Sequence, residues 1–244
     1  MELIVVKDYE AMSEKAFEII KKEIETKENP VISMTTGGTP RGLFKKLSDA
    51  FNDNLDIEKV RFLNLDEYIG EKDAPYTVYR YMNENLFDLV SKKPLSWDHI
   101  HGDEKNIEKE IERYKKVLDK TKRDIQVLGL GVNGHIGANE PGTPFDSTIF
   151  LANHDKSTIE STANEYGIDI SEAPNQMVTM GFKEILEANK VLLMVSGSKK
   201  AKAMKNVLEG PITTACPASY LRDKDNVIMI VDEDAASLLE NKEK

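Results

Sequence analysis

Ile125-Gln126-Val127-Leu128-Gly129-Leu130-Gly131-Val132-Asn133-Gly134-His135-Ile136-Gly137-Ala138-Asn139-Glu140-Pro141-Gly142 passes from an apolar strand directly into a glycine loop. The first four residues have the apolar character of a strand covered on both faces. Gly129, Gly131 and Gly134 then form a literal G-x-G-x-x-G, the pattern of a dinucleotide-binding turn. The context points away from NAD. Such a fingerprint opens a long helix and usually belongs to the first strand–helix unit of a fold. This one lies mid-chain and runs on into Gly137, Pro141, Gly142 and Pro144, which cannot sustain a helix of useful length. The segment therefore reads as a strand-end loop.

Outward from this segment, strand-like runs alternate with helix-like stretches. Leu3-Ile4-Val5-Val6, Val31-Ile32-Ser33-Met34, Val60-Arg61-Phe62-Leu63, Val191-Leu192-Leu193-Met194-Val195 and Val227-Ile228-Met229-Ile230-Val231 are the other strand candidates. Between them Phe17, Ile20 and Ile24 share one helical face, and Ile107, Ile111, Tyr114 and Leu118 share another. An Ala- and Lys-rich helix is expected from about Lys199 to Leu208. Alternating strands and helices imply right-handed crossovers and a mostly parallel sheet. The expected fold is α/β: one domain over residues 1–244, a Rossmann-like three-layer sandwich with a mostly parallel central sheet. No repeat, low-complexity tract or linker interrupts it, and residues 240–244 read as a frayed terminus.

Composition narrows the classes of function. The 244 residues carry a net charge of -10 and are 40% hydrophobic, which suits an ordinary globular chain. An acidic balance argues against a general nucleic-acid or membrane-surface role, since both want clustered Lys and Arg. No apolar run approaches the roughly 20 residues of a membrane span. Met1-Glu2-Leu3-Ile4-Val5-Val6-Lys7 lacks the basic start and apolar length of a signal peptide. The single cysteine, Cys216, excludes an internal disulfide framework and fits a reducing cytoplasm.

In an open parallel sheet, ligands bind beyond the carboxyl ends of the strands. Three loops there carry chemistry. Thr35-Thr36-Gly37-Gly38-Thr39-Pro40-Arg41-Gly42 precedes a helix, with Thr39 placed to cap it and Pro40 to occupy its first position. Read alone, it fits a capped turn and an anion site equally well. In Leu63-Asn64-Leu65-Asp66-Glu67-Tyr68, Asp66 is a general base if its surroundings raise its pKa, and otherwise a cap beside a solvated Glu67. In the glycine loop, His135 stands with Asn133 and Glu140, and a nearby carboxylate can orient an imidazole and stabilise its charged form. The other histidines are His99, His101 and His154. No H-x-H or H-E-x-x-H spacing suggests a metal.

Taken together, these segments resemble the glucosamine-6-phosphate deaminase (isomerase) family, within the wider group that includes 6-phosphogluconolactonases. The resemblance covers nearly the whole chain in the right order. It adds Val178-Thr179-Met180-Gly181, Ser196-Gly197-Ser198-Lys199-Lys200-Ala201 and Pro217-Ala218-Ser219 to the three loops. It implies conversion of an amino-hexose 6-phosphate and water to a ketose 6-phosphate and ammonia, with no cofactor and no metal. Asp66, Asn133, His135 and Glu140 are then the catalytic set. Thr36, Gly37, Gly38, Thr39 and Lys200 bind the substrate, Lys200 as the cation for the phosphate. Glucosamine 6-phosphate is the substrate implied first and galactosamine 6-phosphate second. A lactonase is the next reading, and a non-catalytic sugar-phosphate sensor follows it. The partner is thus a small sugar phosphate, with neither nucleic acid nor membrane involved and the oligomeric state open.

Four positions depart from the family pattern. Gly38 stands for a usual Ser, Ala138 for a Phe, Val78 for an aromatic, and Glu165 for an Arg that contacts phosphate. The arginine-rich regulatory segment of some hexameric relatives is not evident around Thr148 to Asn153, which implies no such regulation. The region from Gly142 to Tyr166 is a candidate cover for the site.

Overall fold

A computed structural model describes residues 1–241; the last three residues of the terminus expected to fray lie outside it. The strands in chain order are β1 (Glu2–Val6), β2 (Val31–Met34), β3 (Arg61–Asn64), β4 (Asp66–Tyr68), β5 (Ser96–Asp98), β6 (Ile125–Gly129), β7 (Phe150–Asn153), β8 (Gln176–Thr179), β9 (Lys190–Val195) and β10 (Val227–Asp232). The helices are α1 (Tyr9–Thr26), α2 (Arg41–Asp53), α3 (Val78–Met82), α4 (Ile107–Lys120), α5 (Lys156–Tyr166), α6 (Phe182–Leu186) and α7 (Ala201–Glu209).

Seven strands form one parallel sheet in the order β1-β10-β9-β6-β2-β3-β5. Strand residues alternate between its faces, as the period of two requires. Ile32, Met34, Phe62, Val127, Leu192 and Met194 point to the side covered by α1, α2 and α3. Leu63, Leu128, Leu193, Val195, Met229 and Val231 point to the side covered by α4, α6 and α7. This double covering is why the strands are apolar throughout, and it makes the expected three layers.

The strand order also fixes where a ligand can sit. From β2 the chain builds outward through β3 to β5, and from β6 it builds the other way through β9 to β10. The carboxyl ends of β2 and β6 therefore flank the point where the winding reverses, the usual crevice of such sheets.

A second sheet, β4-β8-β7, is antiparallel and was not expected. Asp66 and Glu67 belong to it: they lie in a strand paired with Thr179 and Val178, not in a loop. The sequence hides β4 because Asp and Glu are poor strand formers, and three residues are too few to show alternation. A second correction concerns α2. Pro40 takes the capping position itself, with no side-chain cap, so Thr39 stands one residue too far out to cap. The Gly42 N–H instead donates to Tyr9 Oη at 2.8 Å. No helix among the described residues is long and apolar enough to cross a membrane.

Candidate active site

The loops that follow β2, β6 and β9 meet strand β4 around one cavity of ≈ 220 Å³. Its walls include residues 35–39, Asp66, the glycine loop, His135 and Lys200. Helix α5 forms a further wall through Thr158, Ser161, Thr162, Glu165 and Tyr166. The region expected to cover the site thus contains a strand, β7, and this helix.

The glycine loop builds a polar cluster. Asn133 Oδ1 accepts from the His135 backbone N–H at 3.1 Å, and Asn133 Nδ2 donates to Glu140 Oε2 at 2.8 Å. The same carboxylate oxygen lies 3.2 Å from His135 Nδ1. Thr158 Oγ1, on α5, donates to Glu140 Oε1 at 2.8 Å. Burial opposes the charged form of Glu140, but the contact with His135, the nearby His154, the His135 charge and the hydrogen bond from Thr158 together hold it well below the usual carboxylate range. An ionised Glu140 only accepts, so Nδ1 of His135 donates to it. That leaves Nε2 as the ring atom able to take a proton from a ligand.

Gly131 makes room for this ring. A Cβ there would meet Cε1 and Nε2 of His135 at 2.5 Å. Gly131→Ala should force the imidazole off Glu140 and cut kcat on the order of 10²-fold, the effect expected of a roughly 1 Å misplacement. Measuring kcat beside the melting temperature separates this from unfolding; unchanged kcat would count against the ring's role.

Asp66 faces the same cavity from the end of the second sheet. It is 6% exposed, and burial pushes its carboxyl up to about 7. A carboxylate with that pKa is half ionised near neutrality and basic enough to take a carbon-bound proton. Its neighbour Glu67 is buried, not solvated. Glu67 accepts backbone N–H bonds from Val78, Tyr79 and Tyr68 at 2.7–2.8 Å, so it ties β4 to the start of α3. The cap of α3 itself is Thr77, whose hydroxyl accepts from the Arg80 N–H, so Asp66 caps no helix here.

The loop of residues 35–39 shapes an end of the cavity suited to an anion. Gly37 has φ +100°, a conformation that favours glycine. Tyr81 Oη donates to the Gly37 carbonyl at 2.8 Å and Tyr9 Oη to that of Gly38 at 3.2 Å. With the carbonyls turned to tyrosines, the N–H groups of Gly38 and Thr39 make no hydrogen bond within the described residues. Lys200 lines the same cavity, half-buried, while Lys199 and Lys202 are exposed. Burial lowers the Lys200 pKa, and the Glu165 carboxylate works against that. Asp232 holds the approach to Lys200, accepting from the Gly197 N–H at 3.0 Å and from Ser196 Oγ.

Every site residue named from the sequence lines this one cavity except Glu140, which stands behind His135 and Asn133. Sequence reasoning missed His154, Thr158 and Asp232. The His154 side chain is 3% exposed and lies 3.8 Å from Glu140 Oε1. Nothing local marks His154 or Thr158, because β7 and α5 reach Glu140 only through the tertiary fold. No cluster of three or more His, Cys, Asp or Glu among the described residues could hold a metal ion.

The chain matches a family model described as glucosamine-6-phosphate isomerases/6-phosphogluconolactonase over residues 7–230. A glucosamine-6-phosphate deaminase of Clostridium botulinum (strain Loch Maree / Type A3) is 39% identical over 242 residues, 98% of this chain and 99% of that protein. The Clostridium acetobutylicum glucosamine-6-phosphate deaminase is 38% identical, covering 98% and 100%. Among solved structures, a monomeric glucosamine-6-phosphate deaminase superimposes with a TM-score of 0.93 at 36% identity, over 98% of this chain and 100% of that one. A 6-phosphogluconolactonase from Trypanosoma brucei shares the fold, with a TM-score of 0.77 at 17% identity and 98% of each chain covered.

Proposed function

Since the chain belongs to the family of glucosamine-6-phosphate isomerases and 6-phosphogluconolactonases, we propose that it is a glucosamine-6-phosphate deaminase, giving fructose 6-phosphate and ammonia. Residues 1–244 act as one domain, in the cytoplasm. The observation that carries the reading is the pairing, in one cavity, of a buried Asp66 with pKa about 7 and the His135–Glu140–Asn133 cluster.

The chemistry follows from that pairing. The C2 proton of an amino-hexose is acidic only when C1 is an open-chain aldehyde, so the ring must open first. His135 moves the proton between the hydroxyl on C1 and the ring oxygen, with Glu140 stabilising the imidazolium and Asn133 fixing the loop. Asp66 then takes the proton from C2 and returns it to C1. One carboxylate serves both carbons because they are adjacent, as in other aldose–ketose isomerases. The imine left at C2 adds water and expels ammonia. The N–H groups of Gly38 and Thr39, the Thr36 and Thr39 side chains and Lys200 receive the phosphate. Gly38 offers no hydroxyl here, so the backbone and Lys200 carry more of that grip.

Ammonia release from the 6-phosphates of glucosamine, galactosamine and mannosamine tests the assignment. Glucosamine 6-phosphate is expected to have the highest kcat/KM. Lactone hydrolysis removes no C2 proton and releases no nitrogen. Silence on all three, with hydrolysis of a 6-phosphogluconolactone, would replace the deaminase with the hydrolase.

A further inference from the structure

Glu165 sets the charge of the anion end. It projects from α5 into the cavity that the 35–39 loop and Lys200 also line. Its Oε1 lies 3.5 Å from Nη2 of Arg41, the first residue of α2. Lys200, one loop of unpaired N–H groups and one carboxylate thus share one end of the site, and Arg41 pairs with that carboxylate from the neighbouring groove. A phosphate ester placed on that loop carries two negative charges, and it meets a third already there.

We propose that Glu165 is an internal counter-ion of the phosphate subsite, which offsets part of the Arg41 and Lys200 charge and must yield both cations when a phosphate enters. The proposal rests on the sugar-phosphate reading above and deepens it. Of the three charges gathered here two are positive and one negative, so Glu165 offsets about half of the positive charge before a phosphate arrives. The arriving ester must either displace the carboxylate from Arg41 or sit beside it. Both routes cost binding energy in the ground state and the transition state alike, since the phosphate takes no part in the proton transfers. The penalty therefore falls on KM and leaves kcat alone. The Glu165–Arg41 pair is about one-third to one-half exposed, so the penalty is modest and screened by salt.

The test uses inorganic phosphate as the probe, titrated calorimetrically into the full-length protein and its Glu165→Gln variant at low salt. Phosphate is expected to bind about tenfold more tightly to Glu165→Gln, with the difference shrinking at 0.5 M salt. For a turned-over amino-sugar phosphate, KM should fall about as much, with kcat within about twofold. Glu165→Ala serves as the second variant if the amide perturbs α5. Phosphate affinity equal to or weaker than wild type in both variants would overturn the proposal and make Glu165 a ligand contact or a bystander. Tightened phosphate binding without ammonia release from any amino-hexose 6-phosphate would keep the counter-ion and discard the deaminase.

Discussion

Asp66→Asn is expected to lower kcat for ammonia release on the order of 10³-fold, with KM for glucosamine 6-phosphate changed by less than about threefold. The side chains are nearly isosteric, but an amide has no basicity with which to take the C2 proton. The wild-type pH dependence should report the same group. Burial holds Asp66 near pKa 7, and only its ionised form is a base. The kcat of the wild type should therefore fall as pH drops below about 7 and level off above it. A sensor without catalysis would show no such difference between the two proteins.

The same substitution has a stability signature of opposite sign. The folded-state pKa of Asp66 is raised from 3.8 to about 7. Below pH 4 the group is protonated in both folded and unfolded chains and contributes no pH dependence. Between about 4 and 7 the unfolded chain ionises while the folded one holds its proton, so stability falls as pH rises. Asn does not titrate. Asp66→Asn should therefore melt higher than wild type at pH 8, relative to the difference at pH 4. Thermal unfolding at the two pH values checks this. Lost activity with gained stability marks a group held in place for chemistry rather than for the fold.

His135→Gln should lower kcat on the order of 10²-fold by a different route. Asp66 remains competent in this variant but must wait for the ring to open unaided. The two variants are separable by watching the anomers of the substrate. Asp66→Asn, with the His135–Glu140 pair intact, should still accelerate anomer interconversion, measured by NMR exchange. His135→Gln should not. Equal loss of anomer exchange in both would mean that the histidine and the aspartate do not divide the two proton transfers.

What the sequence revealed, and what it concealed, follows the range of the interactions. Apolar runs such as Val191–Val195 were legible as strands because both sheet faces are covered, and the helical face Ile107, Ile111, Tyr114 and Leu118 was legible because α4 is long enough to show its period. Asp66 was placed beyond β3 but in a loop, since pairing with Thr179, more than a hundred residues away, leaves no local trace. The Asn133–His135–Glu140 cluster was visible because its members lie within eight residues of each other. Thr158 and His154 complete the surroundings of Glu140 from another sheet and helix and were not. Glu165 stood out only as a misplaced charge. Its ion pair with Arg41 gives that charge a partner.

The central claim is that one open-chain sugar phosphate spans the cavity from the 35–39 loop to Asp66. A crystal structure with a 2-amino-2-deoxyhexitol 6-phosphate, which has no aldehyde and cannot react or cyclise, tests it directly. The account places the phosphate against Gly38, Thr39 and Lys200, with C2 within about 3.5 Å of the Asp66 carboxylate and the chain oxygens in reach of His135 Nε2. A phosphate bound away from that loop, or carbons 1 and 2 turned from Asp66, would contradict it.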